Sequence, residues 1–325
     1  MALRTRLTEI LGLRVPILSA PMGFVAGGRL AAAVTAAGGL GLLGGGYGDA
    51  GWLETEFQAA GNTRVGCGFI TWNLAKQPEL LDQALSHAPA ALMLSFGDPA
   101  PFAPRIHAAG CRLICQVQTM AHARVALAAG ASVLVAQGSE AGGHGAVRAT
   151  LTLVPEIADF LARESAETLL VAAGGIADGR GLAASLILGA DGVMLGSRLW
   201  ASPECLIHPN HQAAALASDG DGTVRQIAAD IARGYDWPGE FTGRVLRTAF
   251  VDRWHGDEAA HRAAAGADRP AYLAAMAGGR TQETGVFVGE AIGLIRDVAP
   301  AGEIVARIVA EAETLLGTRA AAFVV

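Results

Sequence analysis

Over about its first 200 residues the chain repeats one pattern, with eight short unbroken apolar runs, each closed by a glycine-rich or polar break, and seven amphipathic stretches rich in alanine and leucine between them. The runs cover 16–22, 40–44, 64–70, 90–96, 112–117, 133–137, 169–173 and 192–195. The stretches between them, at 29–37, 50–60, 78–86, 102–109, 120–129, 153–164 and 180–188, have helical rather than alternating periodicity. Unbroken apolar runs suit parallel strands covered on both faces, and strand–helix alternation builds right-handed βαβ units. Eight such units predict an α/β fold, a closed (β/α)8 TIM barrel. A doubly wound open sheet would carry a GxGxxG turn after its first strand. Here the first run ends instead in Ser19-Ala20-Pro21-Met22-Gly23.

Past residue 202 the rhythm is lost. Residues 203–281 hold four of the eight histidines, Trp237, Trp254, Tyr235, Tyr272 and a turn-rich Ser218-Asp219-Gly220-Asp221-Gly222. This segment reads as a smaller, mostly helical lid inserted after strand eight. The tail from 288 to 316 returns to a helical pattern and is expected to pack back on the barrel, which would comprise 1–202 and 282–325.

Composition narrows the function classes. A hydrophobic share of 52% with 17% charged residues fits a large buried core and excludes a disordered chain. A net charge of −6 with no basic run argues against nucleic acid or an anionic membrane surface as partner. The apolar window 30–46 is interrupted by Gly38, Gly39, Gly41 and Gly44 and is too short to span a bilayer. The first residues carry charges throughout, unlike a signal peptide. Cys67, Cys111, Cys115 and Cys205 form no CxxC pair, as expected of a reduced cytoplasmic protein. Lys76 is the only lysine, which leaves a Schiff-base enzyme a single candidate. Apolar helix faces leave a homodimer open.

In such a barrel the working face lies at the C-terminal ends of the strands. Those ends read Ala20-Pro21-Met22-Gly23, 68–73, 95–98, Gln116-Val117-Gln118-Thr119, 137–145, Ala173-Gly174-Gly175-Ile176 and Leu195-Gly196-Ser197-Arg198. Gly174-Gly175 leads through Asp178 into a helix, and Gly196-Ser197 closes the eighth strand. Together they make the best phosphate site, because glycines let backbone N–H groups approach phosphate oxygens and a helix N-terminus adds its dipole. His144, flanked by glycines after strand six, can face a ligand and exchange a proton near neutral pH. A loop histidine bonded to backbone is the plainer alternative; its place beside Gln137 and opposite the phosphate turns favours the catalytic one. His208 and His211 have no third ligand at metal spacing. Asp219 and Asp221 lack the rest of a calcium loop, and Cys111 and Cys115 read as packing. Trp200, Trp237 and Trp254 suit either a pocket or the core.

The segments Ala20-Pro21-Met22, GFITWNL (68–74), QGSEAGGHGA (137–146), AAGGIADGRG (172–181), LGADGVMLGSR (188–198) and GEAIGLIRD (289–297) stand in one order. Together they resemble the nitronate monooxygenase family, formerly the 2-nitropropane dioxygenases. That resemblance implies a TIM barrel with non-covalent FMN and a smaller domain over the flavin. It places Pro21 and Met22 along the isoalloxazine, with Asn73 and Gln137 bonding flavin or ribityl atoms. Gly142 would line the ring, and Gly175 with the turn Met194-Leu195-Gly196-Ser197 would hold the phosphate; Ala20, Gln116, Gly143 and Gly174 complete the expected cofactor set. His144 matches the family's base, which in some members turns a neutral nitroalkane into its nitronate. The nitronate then gives an electron to the flavin, and O2 completes conversion to a carbonyl compound and nitrite. EAGGH also resembles FMN-dependent enoyl-thioester and NAD(P)H:quinone reductases, which is the alternative reading; GFITWNL favours the monooxygenases. A non-catalytic flavin- or phosphate-binding barrel is the third.

Overall fold

The computed structural model describes residues 3–319. All eight expected strands form, their ends within three residues of the apolar runs that predict them. They are β1 (Ile17–Ser19), β2 (Leu42–Gly44), β3 (Gly66–Ile70), β4 (Ala91–Ser95), β5 (Arg112–Val117), β6 (Val133–Gln137), β8 (Leu169–Ala173) and β9 (Gly192–Leu195). A ninth, short strand, β7 (Gly143–Gly145), lies in the turn after β6. The parallel sheet runs β1-β9-β8-β6-β5-β4-β3-β2. A parallel bridge between Leu18 and Leu40 joins its two ends, with Ser19 N–H donating to the Leu40 carbonyl and Leu40 N–H to that of Ile17, each at 3.0 Å. The barrel is therefore closed.

Alternation along each strand divides the core into two. Leu18, Leu42, Met93, Ile114, Val135, Val171 and Met194 fill the barrel, and Leu7 from helix Arg6–Leu11 packs with them. Ile17, Leu43, Leu92, Leu134, Ala172 and Leu195 point outward and pack under the helices. Those helices begin at residues suited to capping. Asp49, Thr119 and Asp178 each accept a backbone N–H of the first turn that follows. Asp178→Ala is expected to cost about 1 kcal/mol and lower Tm by about 2–4 °C in a thermal melt. A larger fall would mean that Asp178 carries more than the cap.

The 203–281 segment is helical over Pro209–Leu216, Ala228–Arg233, Ala249–Trp254 and Glu258–Ala277. It also contains two strands that its pattern did not announce, β10 (Thr223–Gln226) and β11 (Thr242–Leu246). These make an antiparallel sheet in the order β10-β11-β7. Helix Ala301–Thr314 follows and packs against barrel helices Gly179–Ile187 and Gly28–Ala36. No helix among the described residues is long and apolar enough to cross a membrane.

Candidate active site

A cavity of about 860 Å³ opens at the C-terminal ends of the barrel strands and is lined in part by residues of the 203–281 segment. Its size suits a cofactor with a substrate beside it. The end of β1 contributes Ala20, Pro21 and Met22, β5 and β6 contribute Gln116 and Gln137, and the turn after β6 contributes Gly142, Gly143 and His144. Gly174, Gly175, Met194, Gly196 and Ser197 line the opposite wall. Two expected residues stand apart. Asn73 is buried with its amide against Gly48, and Leu195 faces the outer core, one residue out of phase with Met194.

The wall made by the last two barrel strands is built from backbone. Gly174 and Gly175 take φ of +101° and +72°, a left-handed pair that side chains disfavour. Among the described residues, the N–H groups of Gly175, Ile176 and Gly196 find no protein acceptor. Unspent donors on glycine turns are what an anion such as phosphate needs. Gln137 Oε1 accepts from Gln116 Nε2 at 2.6 Å and Gln118 Nε2 at 3.0 Å, which leaves the Gln137 amide donors for a ligand. Ser197 is anchored from the other side, its hydroxyl accepting from Gly289 N–H at 2.8 Å.

His144 sits in β7, opposite Gly243 of β11. A Cβ at Gly243 would come within 2.8 Å of the Phe287 ring and 3.4 Å of His144 Nε2, so glycine gives the imidazole its room. Two arginines, the half-buried Arg225 and the buried Arg244, paired in register on β10 and β11, fix the turn that carries this strand. Arg225 Nη1 and Arg244 Nε both donate to the Ser139 carbonyl at 3.0 Å. His144 Nε2 lies 2.8 Å from Asp230 Oδ2, and Asp230 Oδ1 accepts from Arg233 Nη2 at 2.6 Å. Burial would raise the Asp230 carboxyl, but the His144 ring and the Arg233 guanidinium outweigh it and hold the group below the ordinary range. Burial pushes the His144 imidazole below its ordinary value, partly countered by Asp230. The pair at neutral pH is thus carboxylate and neutral imidazole, with Nε2–H donated to Asp230 and the lone pair left on Nδ1.

Aromatic rings enclose the histidine. Trp237 stacks on it with centroids 3.5 Å apart and planes 5° from parallel, while Phe96 and Phe287 approach at 6.4 and 5.6 Å. Phe96 holds a φ of +64° at the end of β4, a strained placement that aims the ring inward. Tyr47, stacked on Tyr235 at 4.2 Å, lines the same wall, and burial pushes its phenol up to about 12.

The remaining candidates lie elsewhere or serve the fold. His211 bonds Thr281 Oγ1 and the Met276 carbonyl, and His208 Nδ1 caps the following helix. Asp219 accepts from Gly222 N–H within its own turn. Lys76 lies over the Trp72 ring, outside the cavity, and Cys111 and Cys115 are buried in the outer core. Trp200 and Trp237 line the cavity, whereas Trp254 stacks on His261. Sequence reasoning missed Asp230 and Arg233. Their one local signal is an acid and a base three apart in the otherwise apolar Ile227–Arg233 stretch.

The sequence matches the family model for nitronate monooxygenase over residues 4–89 and 73–311. It is 33% identical to a nitronate monooxygenase of Neurospora crassa, across 91% of this chain and 89% of that protein. The fold superposes on FabK from Thermotoga maritima with a TM-score of 0.86 and 28% identity, covering 99% of this chain and 100% of the other. A nitroalkane oxidase from Streptomyces ansochromogenes gives a TM-score of 0.78 and 27% identity, over 98% and 100% of the two chains.

Proposed function

The chain belongs to the nitronate monooxygenase family, and from that premise we propose that it is an FMN-dependent oxidoreductase converting alkyl nitronates, with O2, to carbonyl compounds and nitrite. The observation that carries the reading is His144, held by a buried carboxylate at the C-terminal face of the barrel and opposite a wall of unspent backbone donors. Bound in this cavity, FMN would supply one-electron redox chemistry and reactivity toward O2.

The chain's own residues would do the rest. Gly174, Gly175, Gly196 and Ser197 would hold the phosphate, and Leu195 would shape that turn through its backbone. Ala20, Pro21 and Met22 would lie along the ring, with Gly142 and Gly143 at its edge. Gln116 and Gln137 would bond its polar rim; Asn73 would act from behind the wall. The Nδ1 lone pair of His144 would take the proton from the carbon bearing the nitro group when the substrate arrives as a neutral nitroalkane. Asp230 would then stabilise the imidazolium formed. Trp237, Phe96 and Phe287 keep water from that proton transfer. Residues 203–281 would be the substrate lid and 1–202 with 282–325 the flavin barrel; of these, 1–2 and 320–325 lie outside the described residues. Four free, buried thiols support a reducing cytoplasm.

An anaerobic spectral titration of the FMN-loaded protein tests the reading. Ethyl nitronate is expected to bleach the flavin band while NADH and NADPH leave it unchanged. Bleaching by a nicotinamide with nitronate inert would transfer the chain to the reductase branch. A protein that takes up no FMN would end both readings.

A further inference from the structure

Reduction adds electron density to a flavin ring, and the cavity holds little positive charge to balance it. Lys76 lies outside, Arg233 is paired with Asp230, and Arg29 is exposed. What the wall does offer is a chain of side-chain amides. Ser95 Oγ donates to Gln116 Oε1 at 3.3 Å, and Gln116 Nε2 donates to Gln137 Oε1 at 2.6 Å. A third amide meets that same oxygen from behind, Gln118 Nε2 donating at 3.0 Å. Gln118 is only 1% exposed and does not line the cavity. Its side chain therefore serves to join Gln137 to what stands on its other side.

That neighbour is His122, in the first turn of helix Met120–Ala128. Two groups of opposite sense face its Nδ1, both from Gln118: the side-chain Oε1 at 3.2 Å and the backbone N–H at 3.4 Å. A protonated Nδ1 donates to Oε1, and a bare one accepts from the N–H. The other ring nitrogen, Nε2, lies 3.3 Å from Glu240 Oε2 and, facing a carboxylate, keeps its proton in both arrangements. Glu240 is the charged group that meets this ring from the 203–281 segment; on the histidine's own helix, Arg124 lies over the Phe160 ring at 4.9 Å. Phe241, next to Glu240, packs on His122 at 5.8 Å and on Phe96 at 5.1 Å.

The chain transmits a direction. With Nδ1 protonated, Gln118 keeps Oε1 toward His122 and Nε2 toward Gln137, and Gln137 is left to turn its N–H bonds to the cavity. With Nδ1 bare, the buried Oε1 loses its donor, which is costly. All bonds are recovered if the three amides turn over together. Gln118 then donates to Nδ1, Gln137 donates to Gln118 and Gln116, and the Ser95 hydroxyl accepts instead of donating. Gln137 now faces the cavity with its oxygen. Resting on the FMN reading above, we infer that His122 is a positioning residue for the flavin: protonated at Nδ1 and backed by Glu240, it aims the Gln137 N–H bonds at a ring carbonyl and so favours the reduced ring.

The midpoint potential of the bound FMN, from reductive titration against a reference dye with no nitronate present, tests this. Gln118→Met, close in shape but unable to relay, and His122→Leu should each move the reduction equilibrium about tenfold toward the oxidised ring, about 30 mV for a two-electron couple. The double variant should fall no further than Gln118→Met alone, because the two are links of one chain. Additive shifts, or none, would overturn the relay. Glu240→Lys changes an exposed side chain and discriminates by sign. Through space an added cation would raise the potential, whereas loss of the anion behind His122 should lower it, by about threefold in the same equilibrium. A raised or unmoved potential would overturn the part given to Glu240. Turnover separates the two levels. Potentials that move as expected in a protein that oxidises no nitronate would sink the proposed activity and leave the relay standing. Nitronate oxidation with unmoved potentials would do the reverse.

Discussion

Replacing His144 by alanine is expected to slow turnover of a neutral nitroalkane by about 10²–10⁴-fold, the usual contribution of a positioned base. A preformed nitronate has already lost that proton, so its oxidation should fall by less than about tenfold. The flavin should stay bound, because the wall of backbone donors does not include the imidazole. The pH profile supplies a second reading. The ring must be neutral to accept a proton, so nitroalkane activity rises with pH through the His144 pKa and is flat above it. Burial places that limb on the acid side of the ordinary histidine value, and it should vanish in the variant. Since alanine also removes the face on which Trp237 stacks, His144→Asn is the companion: flat and polar but unable to take the proton, it should match alanine. Stopped-flow reduction of the flavin by nitroethane and by ethyl nitronate gives both rates. Undiminished reduction by nitroethane in either variant would refute the assignment.

How much of this was readable beforehand follows from how each part is encoded. Parallel strands buried on both faces must be apolar throughout, so β3, β4, β5, β6 and β8 announce themselves as unbroken runs. The small sheet over the site does not, because β10 and β11 carry Arg225 and Arg244 where an apolar alternation would be sought. Those guanidiniums reach back to the Ser139 carbonyl, a partner more than 80 residues away that no local pattern encodes. His144 stood out through its flanking glycines, whereas Asp230 lies 86 residues from it and is found only by folding. Leu195 shows the limit of reading strand ends as whole turns. Successive strand residues face opposite sides, so Met194 meets the cavity and Leu195 the helices.

The buried carboxylate yields the sharper test. Asp230→Asn is expected to lower nitroalkane turnover by about 10²-fold or more, since the amide cannot stabilise the imidazolium formed as the proton moves. Asp230 raises the His144 pKa against the effect of burial. Without that charge the acid limb should shift to lower pH while the plateau falls, because the ring becomes a weaker base. Simple misfolding would lower the plateau and leave the limb in place. The substitution also strands Arg233, whose side chain is only 14% exposed. An uncompensated buried charge costs about 3–5 kcal/mol, so Tm should drop as well. Its guanidinium already lies against the rings of Phe287, Tyr235 and Tyr47, at 4.6, 5.1 and 5.5 Å. Arg233→Met added to Asp230→Asn should therefore seat an apolar chain in an aromatic wall and restore most of the stability. Recovered Tm with turnover still low would assign the loss to the carboxylate behind the imidazole. Recovered turnover would mean that the first variant failed through its unpaired arginine, and that Asp230 serves the fold rather than the base.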